Sequence, residues 1–173
     1  MKQKLKLALV GAGERGQYCY APYAKMHGYE IEFVAVADPH KGRREKFVQD
    51  YHVPAEGVFE TAEQFFARPR MADAVLICTQ DSQHYAYACQ AIDLGYSILL
   101  EKPISPSVRE CLDLQRRAEE KGTQIMVCHV MRYTKFYRKL KELIDSGVIG
   151  DVVHVTHTEN VAYWHYAHSY VRG

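Results

Sequence analysis

Glu101 and Lys102 bring two opposite charges to the end of an apolar run, Ser97 to Leu100, and Pro103 follows them. An ammonium in such a position can hydrogen-bond a hydroxyl and stabilise negative charge developing on its oxygen, while a proline fixes the backbone that aims it. A solvated ion pair at a strand end is the plainer reading of the same residues. A second set, Gly11-Ala12-Gly13-Glu14-Arg15-Gly16, fits G-x-G-x-x-G and lies between an apolar run and a stretch of helical period. There the first glycine permits a tight turn and the second lets a pyrophosphate approach the backbone. The third lets helix and strand pack closely, and free helix N–H groups attract phosphate.

Asp38 ends the next apolar run, about 20 residues past Gly16, the separation of an acid that holds a ribose 2'-hydroxyl. That favours NAD. A carboxylate there repels the 2'-phosphate of NADP, although His40, Lys41, Arg43 and Arg44 stand close enough in sequence to compensate. Asp38 with Pro39 also suits a simple turn and helix cap.

These residues need elements to position them. Apolar runs at Leu5–Val10, Ile31–Ala37, Ala74–Cys78, Ser97–Leu100 and Gln124–Cys128 alternate with helical stretches at Arg15–Met26, Arg43–Tyr51, Thr61–Ala67, Gln83–Leu94 and Ser107–Lys121. The alternation predicts an α/β fold, a doubly wound parallel sheet whose strands are covered on both faces. Val58-Phe59 suits one further short strand. Thr61 with Gln64 and Ser107 with Glu110 have capping-box spacing, Gly95 and Gly122 sit where helices end, and Pro22 threatens the first helix. In such a sheet ligands bind outside the carboxyl ends of the strands, where Glu101 and Lys102 stand.

After Cys128 the rhythm changes. Phe136–Asp145 reads as a helix stopping near Gly147, and Asp151–Thr158 alternates like a half-exposed strand. A boundary is expected near residues 128–134, giving a dinucleotide-binding domain over 1–129 and the start of an incomplete α/β substrate or oligomerisation domain over 130–173. The sequence holds no repeat and no low-complexity tract.

The composition fits this plan. Of 173 residues, 47% are apolar and 25% charged, and the net charge of +1 gives no electrostatic ground for a nucleic-acid or anionic-membrane partner. Five scattered cysteines without a Cys-x-x-Cys pair argue against a disulfide framework or structural zinc and for a reducing cytoplasm. The opening MKQKLKLALVGAG is too short an apolar run for a signal peptide, and no run reaches the roughly 18 residues of a membrane span.

Gly11 to Gly16, Asp38-Pro39, Cys78-Thr79 to His84, and Glu101-Lys102-Pro103 occur together and in this order, and by them the chain resembles the Gfo/Idh/MocA family. The resemblance covers nearly the whole chain. It implies a Rossmann-type nucleotide-binding domain followed by an α/β domain with an open sheet, and NAD- or NADP-linked oxidation or reduction of sugars, cyclitols and related polyols. It makes Lys102 the active-site lysine, with a Lys102-Pro103 bond that is often cis, and places Thr79, His84, Glu101 and Pro103 beside the cofactor with Gly11, Gly13, Glu14, Arg15, Gly16 and Asp38. Gln80 departs from the family's proline after Thr79, and His84 also suits a helix start. Arg132 and Tyr133 resemble an Arg-aromatic pair at the family's domain junction, for docking or substrate contact. The family's base, a histidine assisted by an aspartate, is expected beyond Gly173, so the chain reads as the N-terminal part of a longer enzyme that forms homo-oligomers.

Two other readings share the first domain: an NAD-dependent glycoside hydrolase working by transient oxidation at C3 of the sugar, and a non-enzymatic nucleotide sensor. Residues 162–170, AYWHYAHSY, could stack on a sugar, but His165 and His168 lack further ligands at metal spacing, so packing or a subunit interface is expected and no metal is. Tyr18, Tyr20, Tyr23, Tyr85 and Tyr87 read as helix-face packing.

Overall fold

In the computed structural model, which describes residues 3–167, the first apolar run is β1 (Leu5–Val10). It is joined by β2 (Ile31–Ala37), β3 (Val58–Phe59), β4 (Ala74–Ile77), β5 (Ser97–Leu100) and β6 (Ile125–Val127) in one sheet of order β3-β2-β1-β4-β5-β6. Every pairing is parallel. The chain therefore reverses its direction of travel across the sheet between β1 and β4, and the ends of these two strands flank the switch point.

Successive residues of a strand point to opposite faces, so β1 feeds two cores. Leu7 and Leu9 pack with Ala21, Ala24 and Phe47, from α1 (Pro22–Met26), its N-cap and α2 (Lys41–Tyr51). Ala8 and Val10 face Phe65, Ala88 and Leu114, from α3 (Ala62–Phe66), α4 (His84–Asp93) and α5 (Val108–Lys121). Leu9 and Phe47 are fully buried, each contributing about 1.5–3 kcal/mol. Helices on both faces make the sheet doubly wound.

The expected caps are in place: Thr61 accepts from the Gln64 N–H at 3.2 Å and Ser107 from Glu110 at 3.5 Å. Gly95 and Gly122 follow α4 and α5 with φ of 77° and 64°, a conformation that glycine adopts without a Cβ clash. The first helix differs from expectation. Arg15–Tyr20 winds as a π-helix, with the Ala21 N–H reaching back to Gly16 O at 3.0 Å, and α1 begins only at Pro22. Pro22 has no N–H to return to the preceding turn, so it starts a helix here instead of continuing one.

Register turns strand ends into a row. Val10 pairs with Ala37 and Ile77, Ile77 with Leu100, and Leu100 with Val127. The next residues along are Gly11, Asp38, Cys78, Glu101 and Cys128, and the N–H groups of Gly11, Cys78, Glu101 and Cys128 still bond the neighbouring strand at 2.8–3.0 Å. Positions far apart in sequence thus share one level at the carboxyl edge.

The chain divides into two compact units after Cys128. In the second, α6 (Lys135–Asp145) is capped by Thr134, which accepts from the Tyr137 N–H, and α7 (Tyr163–Tyr166) is one short turn. Asp151–Thr158 is not a strand: Val153 and Val155 are 94% and 73% exposed, and no described strand lies alongside to complete a ladder, without which alternation alone stabilises nothing. His168 and the residues after it lie outside the described residues. All five cysteines are free thiols. Among the described residues no helix is long and apolar enough to cross a membrane, and no group of three metal-ligating side chains occurs.

Candidate dinucleotide-binding site

The three motif glycines meet three different surroundings. Gly11 has φ +92°, and a Cβ there would lie 2.5 Å from the Cys78 carbonyl oxygen at the end of β4. At Gly16 a Cβ would overlap the Gly11 carbonyl oxygen and come within 2.8 Å of Leu9 Cδ1. These two serve packing. At Gly13 the nearest atom to an added Cβ is Arg43 Nη1, 4.0 Å away, and the Gly13 N–H has no acceptor among the described residues. The second glycine alone opens outward, and the first turn after it begins with backbone donors that no helix can satisfy. Glu14 and Arg15 are exposed at that turn.

Asp38 is only 3% exposed. Its Oδ2 accepts from the Ala12 N–H and its Oδ1 from the His40 N–H, both at 2.8 Å, so the carboxylate staples the glycine loop to the end of β2 and also forms the expected turn. A carboxylate has about four lone-pair sites, so two remain for a ribose hydroxyl.

Glu101 and Lys102 have separate fates. Glu101 is 6% exposed, and its carboxylate accepts from the Tyr20 hydroxyl and, at 2.9 Å, from the Lys102 N–H. Burial, then the neighbouring Cys128 and Glu101, push the Tyr20 phenol far above its ordinary pKa. Burial works against the charge of Arg15, but the attraction of Glu101 with smaller contributions from Cys19 and Tyr20 outweighs it, and that pKa also rises. Burial, then Glu101 and Cys128, drive the Cys78 thiol well up, so it stays protonated. Tyr20 had read as packing. Its partner lies 81 residues away, and no local pattern announces the pair.

His84 is fully buried, with Nδ1 2.6 Å from Pro103 O and Nε2 3.2 Å from Thr79 O. It does not face an open crevice; it ties the loop after β4 to the loop after β5. Both ring nitrogens face carbonyl oxygens, which only accept, so the imidazole serves these loops as a donor. Gln80, where the family pattern has proline, uses the N–H that a proline lacks to reach Gln83 Oε1 at 3.4 Å, closing a short turn over Asp81–Gln83.

Lys102 is therefore held on both sides: its own N–H by Glu101, and the carbonyl of Pro103 by His84. The Lys102–Pro103 peptide is cis. The side chain is exposed, and its ammonium has no hydrogen bond or ion pair among the described residues. The residues present fit a dinucleotide: Gly13 leaves room and a donor, and Thr79 Oγ1 and Gln17 Nε2 are buried polar atoms without a partner among the described residues. Arg132 and Tyr133 belong to the second unit, in a turn over Val130–Tyr133, where with Tyr137, Arg138 and Lys141 they line a shallow concavity.

Residues 5–129 match the family model described as an oxidoreductase family with an NAD-binding Rossmann fold. An inositol 2-dehydrogenase of Pseudomonas savastanoi pv. phaseolicola is 31% identical over 88% of this chain and 46% of its own length. The NAD(+) scyllo-inositol 2-dehydrogenase of Bacillus subtilis is 29% identical over 89% of this chain and 44% of its own. The crystal structure of a myo-inositol dehydrogenase homologue from Sinorhizobium meliloti superposes with a TM-score of 0.72 at 25% identity, covering 86% of this chain and 43% of that one. The chain spans about half the length of the curated relatives it matches. With its glycine turn, its row of strand ends and the clamped Lys102 in a sheet of this order, the chain belongs to the Gfo/Idh/MocA family of oxidoreductases with an NAD-binding Rossmann fold.

Proposed function

We propose that the protein transfers a hydride between a nicotinamide cofactor and a sugar, cyclitol or related polyol, with Lys102 as the residue of this chain that touches the reacting oxygen. The supporting observation is the contrast at the end of β5, where Glu101 is buried and doubly hydrogen-bonded while the adjacent ammonium is aimed by fixed backbone and has no partner among the described residues. When bound, the nicotinamide supplies the hydride acceptor or donor. Gly13 and the first turn after it would hold the diphosphate, and Asp38 would accept from the adenosine ribose. Glu14 and Arg15 flank that turn, Thr79 and Gln17 offer buried polar atoms beside it, and Glu101, Pro103 and His84 act through Lys102 as positioning residues.

Oxidising a secondary alcohol leaves negative charge on the substrate oxygen as the carbon–hydrogen bond breaks. The Lys102 ammonium stabilises that charge by a hydrogen bond. Its neighbours keep it available: Glu101 is already satisfied by Tyr20 and by the Lys102 N–H and does not need the ammonium as a partner. The inositol dehydrogenases among the relatives support a polyhydroxylated ring as substrate. The second unit, with Arg132 and Tyr133, is assigned to substrate contact or to association of copies, and the free thiols suit the cytoplasm.

The test is Lys102→Ala. Turnover with NAD+ and a panel of inositols and aldoses, followed by NADH absorbance, should fall about a hundredfold or more while calorimetry still detects NAD+ binding. Turnover kept near the wild-type level would remove Lys102 from the reaction, and sugar release without net NADH would make the protein a hydrolase.

A further inference from the structure

Tyr20 belongs to none of the motifs by which the chain resembles its family, yet its hydroxyl holds the carboxylate next to Lys102. It sits in the wide turn after the glycine loop, where the Ala21 N–H reaches Gly16 O at 3.0 Å, one residue further back than in an α-helix. That extra residue rotates everything after Gly16 about the helix axis. Tyr18 and Cys19 stay exposed, while Tyr20 is half-buried, its ring packed on the core of Leu9 and Phe47 and its hydroxyl donating to Glu101 Oε1.

Glu101 has one other donor, the Lys102 N–H, which its Oε2 accepts at 2.9 Å. The remaining ionisable groups about this carboxylate are Arg15, Cys78 and Cys128; none hydrogen-bonds it, and Arg15 is turned toward Cys19 Sγ, 3.9 Å away. Without the Tyr20 hydroxyl, Oε1 would be left unpaired at a site only 6% exposed, which is costly for a charged oxygen. The next residue offers the remedy. Its ammonium has no partner among the described residues, it rides on a flexible four-carbon stem, and its own N–H already touches the same carboxylate. Folded back onto Oε1, it would satisfy Glu101 and be lost to the substrate.

Resting on the role of Lys102 proposed above, we propose that Tyr20 is a positioning residue: by occupying Glu101 it prevents an internal Glu101–Lys102 ion pair and keeps the ammonium free for the substrate oxygen. A phenol suits this task because it satisfies the carboxylate without bringing a second cation. Burial pushes it far above its ordinary pKa, so the donor is not lost as pH rises.

The test is Tyr20→Phe, which keeps the ring and removes the hydroxyl, read first by lysine acetylation with N-hydroxysuccinimidyl acetate and peptide mass spectrometry. In the wild type Lys102 should react as fast as the exposed Lys121 and Lys135, a result that needs no variant. In Tyr20→Phe it alone should react about tenfold more slowly, because a paired carboxylate favours the charged, unreactive amine. This arm stands whichever polyol the chain turns over. With a panel of inositols, Tyr20→Phe should also lower kcat about tenfold or more while calorimetry finds NAD+ affinity unchanged, and in a Lys102→Ala background the same change should cost nothing further. Slow labelling of Lys102 in the wild type, an unchanged rate in Tyr20→Phe, or an undiminished loss in the Lys102→Ala background would each overturn the proposal. Lys102→Ala that keeps wild-type turnover is a separate outcome, which removes the role of Lys102 itself.

Discussion

Alanine at Gly13 and at Gly11 should produce opposite patterns in two assays. At Gly11 the new Cβ must accept φ +92°, which costs a non-glycine residue about 1–2 kcal/mol, and it meets Cys78 O at 2.5 Å and Cys78 C at 2.7 Å. Those are backbone atoms, fixed by the Cys78 N–H on Val10 O and the Gly11 N–H on Ala37 O, each 2.8 Å. Relief requires the ends of β1 and β4 to part, an overpacking cost of about 1–3 kcal/mol. The sum is roughly 2–5 kcal/mol, and at about 2–4 °C per kcal/mol the melting midpoint should drop by several degrees or more. At Gly13 φ is not in the left-handed region and the nearest atom is the movable end of Arg43 at 4.0 Å. Stability should hold, or rise by about 0.4–1 kcal/mol through the stiffer unfolded chain. The methyl instead occupies the space a diphosphate needs, and NAD+ affinity should fall at least about tenfold, or 1.4 kcal/mol. Thermal unfolding and calorimetric titration separate the two. Gly13→Ala that binds NAD+ like wild type would show that the diphosphate does not rest there, and Gly11→Ala that melts like wild type would show that the strand ends are not as tightly joined as described.

Two further outcomes follow from buried polar groups. His84→Ala removes the donor between Thr79 O and Pro103 O from a fully buried site, and denaturant unfolding should show a loss of about 2–4 kcal/mol; a loss below about 0.5 kcal/mol would mean the two loops need no tie. In alkali the sign is set by the phenols. Burial with a hydrogen bond to Glu63 pushes Tyr87 up to about 12, and the hydrogen bond to Asp113 with desolvation pushes Tyr85 to about 12. The folded state keeps these protons longer than the unfolded chain, so their stabilisation is complete below about pH 10 and is lost as pH rises toward 12. Unfolding midpoints should fall across that window, and a Tyr85→Phe, Tyr87→Phe double variant should flatten the fall; an equal slope in the variant would assign the alkaline loss to other groups.

The parts of the site that could be read from sequence are those whose cause is local. A glycine needs its conformation or its space within a few residues, an apolar run ends where its last member stands, and a Thr or Ser cap acts three residues along. What stayed hidden depends on partners brought by the sheet. That Tyr20 packs was legible; that its hydroxyl holds Glu101 was not. Asp38 has the position of a ribose acid, yet only the structure shows both its oxygens committed to Ala12 and His40. Alternation at Asp151–Thr158 failed for the same reason in reverse, since the pattern specifies which face would be covered but cannot supply the neighbour that makes a strand.

The pairing of opposite charges after β5 then has a physical order. The inner position is level with Gly11, Asp38 and Cys78, under the loops, where a charged group must be fully hydrogen-bonded. An acid can meet that demand here, because the two donors at hand, the Tyr20 hydroxyl and the following N–H, satisfy one carboxylate oxygen each. An ammonium could not: it carries three donors and no acceptor, and the neighbouring groups offer donors in turn. Exchanging the two residues would bury an unpaired cation against Tyr20 and Arg15 and leave the exposed site with an anion, which in the proposed reaction would repel the oxygen on which negative charge develops. Glu-then-Lys is the order in which one residue can be structural and the next free for the chemistry proposed for it.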